Sequence, residues 1–127
     1  MRAHQGTFLR TQKTWEAYKN APKRGAASCF LCEGEDLDIV EEHAHWFICK
    51  NQYPYDAVAK VHHMLVPKLH VPRAELLTTP LRDELMVIQY GIETSDKYDC
   101  ILTNYPGAQS HPPHLHYHLI KWKRHNN

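Results

Sequence analysis

Near the end of the chain, in the stretch HPPHLHYHLIKW, His114, His116 and His118 stand at every second position, with Leu115, Tyr117 and Leu119 between and after them. A β-strand turns successive side chains to opposite faces. The spacing therefore predicts a strand with three imidazoles in one row and three apolar residues behind them. Near neutral pH an imidazole serves as nucleophile, proton donor or metal ligand. A merely solvated face would carry Lys, Glu and Thr more naturally, and an appended tag would not alternate with Leu and Tyr.

Cys29 and Cys32 form a second chemical pair, a CxxC. Such a pair folds two thiolates around one tetrahedral Zn²⁺, but a closed site needs two more ligands. His70, just after Pro67-Lys68, and His114, the first of the row, are candidates that end ordered segments. The mixed sulfur and nitrogen set favours zinc over redox-active metals. Spacing alone does not choose between His62, His63, His70 and His111. Cys49 and Cys100 lie in apolar, strand-like segments and read as buried small hydrophobes.

Elements of both kinds must position these groups. Residues 11–20 suit a short amphipathic helix using Trp15, Ala17 and Tyr18, broken by Pro22. Strand-like runs follow at 38–41, 45–50, 61–66 and 98–103, the third closed by Pro67. NQYPYD, between the second and third, is a loop. The clearest helix starts at Thr79-Pro80, with Thr79 as cap and Leu81, Leu85, Ile88 and Ile92 at helical spacing; Gly91 weakens its end. Strands on both sides of one long helix predict an α+β domain: an antiparallel sheet of about five strands, counting the histidine strand. Residues 1–28 read as an N-terminal arm with a short helix, and 29–127 as the domain.

The 127 residues suffice for one domain, and a net charge of +1 gives no general attraction to nucleic acid or membranes. Apolar runs such as the one around residues 100–102 are far too short to span a bilayer. The first residues lack an apolar export core, so a cytoplasmic protein with reduced thiols is expected. The short basic tail at 121–124 reads as a solvated end, so nucleic acid is not expected as a partner.

Four blocks in order resemble one family. HLHYHLI (114–120) is similar to the His-φ-His-φ-His-φ-φ signature of the histidine triad superfamily of nucleotidyl hydrolases and transferases. CFLC (29–32), VHHMLVPKLH (61–70) and LTNYPGAQS (102–110) resemble its CxFC, His-x-φ-φ-φ-Pro-Lys-x-His and Asn/Gln-Ser blocks. The resemblance covers roughly residues 29–122. It implies a homodimer and a structural zinc held by Cys29, Cys32, His70 and His114. It also implies covalent catalysis, with His116 attacking the α-phosphorus of a nucleotide and His118 contacting a non-bridging oxygen.

His62 would face the phosphate, with His63 turned away. Asn104 and Gln109-Ser110 would bind phosphate oxygens or the leaving group, and Asn51 the ribose. Relatives place Gln four residues before the first triad histidine; Ser110 holds that offset here and Gln109 is one further away. His111 is an additional imidazole, either solvent-exposed or a leaving-group acid. The substrates implied are nucleoside phosphoramidates, phosphoanhydrides or dinucleoside polyphosphates. Nucleotidyl transfer to a sugar phosphate, or a nucleotide-binding module with little turnover, are the alternatives.

Overall fold

The apolar residues 64–66, closed by Pro67, become the centre of the sheet. The computed structural model describes residues 8–21, 29–33, 37–105 and 114–124. Its elements in chain order are α1 (Gln12–Lys19), α2 (Phe30–Glu33), β1 (Ile39–Glu42), β2 (Trp46–Lys50), β3 (Ala59–Pro67), a 3-10 turn (Ala74–Leu76), α3 (Thr79–Glu93), β4 (Cys100–Leu102) and β5 (Tyr117–Trp122). The strands form one antiparallel sheet in the order β1-β2-β3-β5-β4, as expected of an α+β domain. Among the described residues no helix is long and apolar enough to cross a membrane.

Alternation along β2, β3 and β5 divides the sheet into two different faces. Trp46, Ile48, Leu65 and Leu119 pack, together with Leu115, against Leu81, Leu85 and Ile88 of α3. The Trp46 indole N–H donates to the carbonyl of Leu81 at 2.8 Å, so the largest core side chain is also polar-satisfied. On the opposite face Phe47, Cys49, Met64 and Val66 pack against Leu31. Further along that face, Tyr55, Ala59 and Ile120 form a third cluster, joined by Leu9 and Trp122. The buried imidazoles of His62 and His118 lie on the same face as these two clusters.

Several boundaries differ from the sequence expectation. The N-cap of α3 is Thr78, one residue earlier than Thr79, and its hydroxyl makes no capping bond; Pro80 in the first turn supplies the preset φ. Gly91 does not end the helix, which runs on to Glu93. β4 is shorter than residues 98–103, because Tyr98 turns aside to bond His63 through its hydroxyl at 2.7 Å. Cys49 is fully buried as expected, whereas Cys100 is only partly buried. The histidine strand begins at Tyr117, so His114 and His116 stand on the approach to β5.

Leu119 is fully buried at the junction of β3, β4 and β5, against the α3 core. Leu119→Ala is expected to lower unfolding free energy by about 2–5 kcal/mol, read from the urea midpoint at unchanged m-value. A loss under about 0.5 kcal/mol, typical of a surface site, would contradict this account of the core.

Candidate active site and metal centre

Three histidines converge, two of them through strand register. β3 and β5 pair with His62 opposite Ile120 and Met64 opposite His118, which makes His62 and His118 diagonal neighbours on one face. Their rings touch, His62 Nε2 lying 2.8 Å from His118 Nδ1. His116 sits against His118 with ring centroids 4.9 Å apart. His63 faces the other side of the sheet, where Tyr98 holds it, as the strand period requires.

Hydrogen-bond partners decide which nitrogen of each ring carries the proton. The Tyr55 backbone N–H donates to His62 Nδ1 at 2.9 Å, so a neutral His62 carries its proton on Nε2. That proton is donated to His118 Nδ1, which leaves His118 protonated on Nε2. His116 Nδ1 is 2.8 Å from the carbonyl of His114, so it carries the proton there and presents a bare Nε2. His114 Nε2 donates to the carbonyl of Pro67 at 2.9 Å, leaving Nδ1 as a lone pair. One bare ring nitrogen thus stands beside one ring N–H donor.

Burial keeps these rings neutral. Desolvation first, then the positive charge of Arg10 and neighbouring imidazoles, pushes His62 down to about 3. His118 is likewise pushed down to about 3, by burial and then by His116, His62 and Arg10. His116 is lowered by burial, partly offset by its bond to the His114 carbonyl. His118 Nε2 is buried with no hydrogen-bond partner among the described residues. An unpaired buried donor is costly unless something fills the site.

The remaining expected residues divide into two groups. Asn51 Oδ1 accepts the Tyr53 backbone N–H at 2.8 Å, and its amide nitrogen lies 3.4 Å from His62 Nε2. Asn104 hydrogen-bonds the phenol of Tyr55. Gln109, Ser110 and His111 lie outside the described residues. Sequence reasoning missed Tyr55, whose ring centroid is 4.3 Å from that of His62 and 5.3 Å from that of His118. Its position in the YPYD loop, a few residues before His62, was the available signal.

The other nitrogen of the first triad histidine belongs to a second cluster. Cys29, Cys32, His70 and His114 bring one ligand atom each within 4.8 Å of one another, and the group could hold a metal ion. Cys32 Sγ is 3.0 Å from His70 Nδ1 and 3.4 Å from His114 Nδ1, and the two Nδ1 atoms are 3.1 Å apart. Ligands about 2.0–2.3 Å from a tetrahedral ion stand about 3.3–3.8 Å from each other, close to these separations. Two thiol sulfurs and two imidazole nitrogens gathered this closely form a donor set that suits a borderline-soft cation. Among the described residues, His62 and His63 are not in the cluster.

No family model and no curated protein matches this sequence. Solved structures do. A histidine triad protein from Clostridium difficile superposes with a TM-score of 0.56 at 25% identity, over 78% of this chain and 91% of that one. A HIT family hydrolase from Clostridium thermocellum gives 0.56 at 21% identity, covering 77% and 90%. A HIT family hydrolase from Legionella pneumophila Philadelphia 1 gives 0.56 at 20%, covering 77% and 93%.

The neutral rings make stability depend on pH with a definite sign. The folded-state values of His62 and His118 lie below the unfolded value near 6.5, so the fold binds fewer protons. Their contribution is complete above about pH 6.5 and is lost as pH falls toward about 3. Urea midpoints measured across this range should fall with acid, and less steeply in a His62→Gln/His118→Gln double variant. An equal slope in both proteins would contradict the neutral assignment.

Proposed function

We propose that this chain, a member of the histidine triad superfamily, is a nucleotide phosphate hydrolase or transferase working through a nucleotidyl-histidine intermediate. The observation that carries the reading is the pairing of a bare His116 Nε2 with a buried, unpartnered His118 Nε2–H. Phosphoryl-centre substitution needs a lone pair to attack and a donor for the oxygen that gains charge. His116 Nε2 attacks the α-phosphorus of a nucleoside phosphoramidate, phosphoanhydride or dinucleoside polyphosphate. The bond to the leaving group breaks, and the leaving group departs with its electron pair. His118 Nε2–H bonds a non-bridging oxygen, and water then displaces the nucleotide from His116.

His62 acts in this scheme as the acceptor-donor link that keeps the His118 proton on the substrate side. Asn51 and Asn104 flank the pocket as ribose and phosphate or leaving-group contacts, with Gln109 and Ser110 supplying the remaining polar contacts. Two of the similar structures are HIT family hydrolases, which favours hydrolysis as the outcome. Homodimerisation across α3 is supported by its Met86, Val87 and Tyr90, an apolar stripe left exposed among the described residues.

The first test is acid-quenched mass spectrometry with a nucleoside phosphoramidate. Wild type is expected to carry the nucleotidyl group on His116. His116→Ala should lose at least about a thousandfold in kcat while still binding the nucleotide product. Absence of both adduct and turnover in wild type, across a panel of nucleotide substrates, would leave a nucleotide-binding module instead.

The metal of the Cys29, Cys32, His70 and His114 cluster is proposed to be zinc in a structural role. When bound it pins the CxxC turn, the end of β3 and the approach to β5 together. Elemental analysis of untagged protein should give about one zinc per chain, falling to near zero in Cys29→Ser/Cys32→Ser. A metal-free wild type of unchanged Tm after chelation would remove this assignment.

A further inference from the structure

The N-terminal arm carries a set of contacts that the proposed chemistry does not use. Leu9, Arg10, Thr11 and Thr14 converge on residues 53–57, more than forty positions later in the chain. The Leu9 carbonyl accepts the Ala57 backbone N–H at 2.9 Å. Arg10 Nε donates to the Tyr53 carbonyl at 2.8 Å, and its guanidinium lies 4.4 Å from the Tyr18 ring centroid and 4.9 Å from that of Tyr55. Asp56 accepts the Thr11 backbone N–H at 2.8 Å, the Thr11 hydroxyl at 3.0 Å and the Thr14 hydroxyl at 2.5 Å.

Five hydrogen bonds and one cation-π contact, that of Arg10 with Tyr55, tie residues 53–57 to the arm. Tyr55 lies in the middle of the held segment and is almost fully buried. Its backbone N–H is the donor that meets His62 Nδ1. A displaced Tyr55 would leave His62 free to carry its proton on Nδ1, and His62 Nε2 would then accept from His118 Nδ1. The His118 proton would be turned away from the substrate.

We infer that residues 9–14 are a positioning clamp that, by holding residues 53–57, fixes the tautomers of His62 and His118. Arg10 and Asp56 are positioning residues in this arrangement, since neither touches the reacting atoms. Two charges support it. Burial raises the Asp56 carboxyl, but the bonds from Thr14 and Thr11 outweigh that and hold it below its ordinary value. After burial itself, the Arg10 charge helps keep both imidazoles neutral, the state in which a tautomer is defined.

The tautomer part stands on geometry alone, and only its effect on rate rests on the proposed function. The test is long-range ¹H–¹⁵N correlation of the histidine rings, alongside steady-state kinetics with a nucleoside phosphoramidate. In wild type His62 and His118 should both report the Nε2–H form. In Asp56→Ala both rings should show mixed tautomers, with kcat reduced about tenfold and KM changed less than about twofold. Asp56→Asn, which keeps an acceptor oxygen, should restore most of both readouts. Arg10→Gln should shift the tautomers in the same direction, and it decides the matter if Asp56→Ala does not fold. Wild-type tautomers in the folded variants would overturn the inference. If wild type turns over no nucleotide, only the enzymatic reading falls, and the ring spectra still decide this one.

Discussion

The register between β3 and β5 is the constraint on which the rest depends. With His62 opposite Ile120 and Met64 opposite His118, the two rings meet diagonally while Leu65 and Leu119 turn to the α3 side. A slip of one residue would exchange the faces, turning imidazoles toward the α3 core and Leu65 and Leu119 away from it. Hydrophobic burial on one side therefore selects the register that assembles the histidines on the other. The core energy is non-specific in kind, but the alternation of β3 and β5 converts it into a particular placement of polar groups. Pro67 belongs to the same pairing, since its carbonyl, at the end of β3, receives His114 Nε2.

Placing so many imidazoles in a desolvated site has an electrostatic consequence. In water a histidine near neutral pH exchanges between charged and neutral forms, and its neutral form between two tautomers. Burial removes the charged form, and directional backbone partners remove the tautomeric freedom. The carbonyls of Pro67 and His114 and the N–H of Tyr55 act on His114, His116 and His62 respectively, and His62 in turn acts on His118. The result is an ordered set of lone pairs and donors, two ring nitrogens left bare, on His114 and His116, and one unpaired ring N–H on His118. The buried His118 Nε2, with no hydrogen-bond partner among the described residues, is the residual cost of that order.

Most of the architecture was legible in the chain, and the exceptions have physical causes. Alternation marked β3 and β5, helical spacing marked α3, and the CxxC with His70 and His114 marked a cluster that does assemble. The N-cap of α3 was misplaced because Thr78 and Thr79 are equally good capping types, and Pro80 is tolerated at either of the first two positions. β4 was overestimated because Tyr98 has strand propensity but a better use, a hydrogen bond to His63. Arg10, Tyr55 and Asp56 went unnoticed because nothing local distinguishes them. Their partners are distant in sequence, and an arginine, a tyrosine and an aspartate in polar segments look like surface residues. Contacts with such separation become visible only when the sheet has set the distances.

The last two histidines of the row, His116 and His118, are held by different supports, and this separates their dependence. His116 takes its tautomer from the backbone carbonyl of His114, a residue of the Cys29/Cys32/His70 cluster. His118 takes its tautomer through His62 from the Tyr55 backbone, which the N-terminal arm holds. Disturbing the cysteine-histidine cluster therefore acts on the lone pair, and disturbing the arm acts on the donor. Each support joins residues from the first third of the chain to the β3–β5 pair, the cluster near the Pro67 end of β3 and the arm near its Ala59 end. A strand period of two is enough to make three histidines neighbours. Different duties for them require that each be bonded by something outside the strand, and the sheet supplies those bonds from opposite ends.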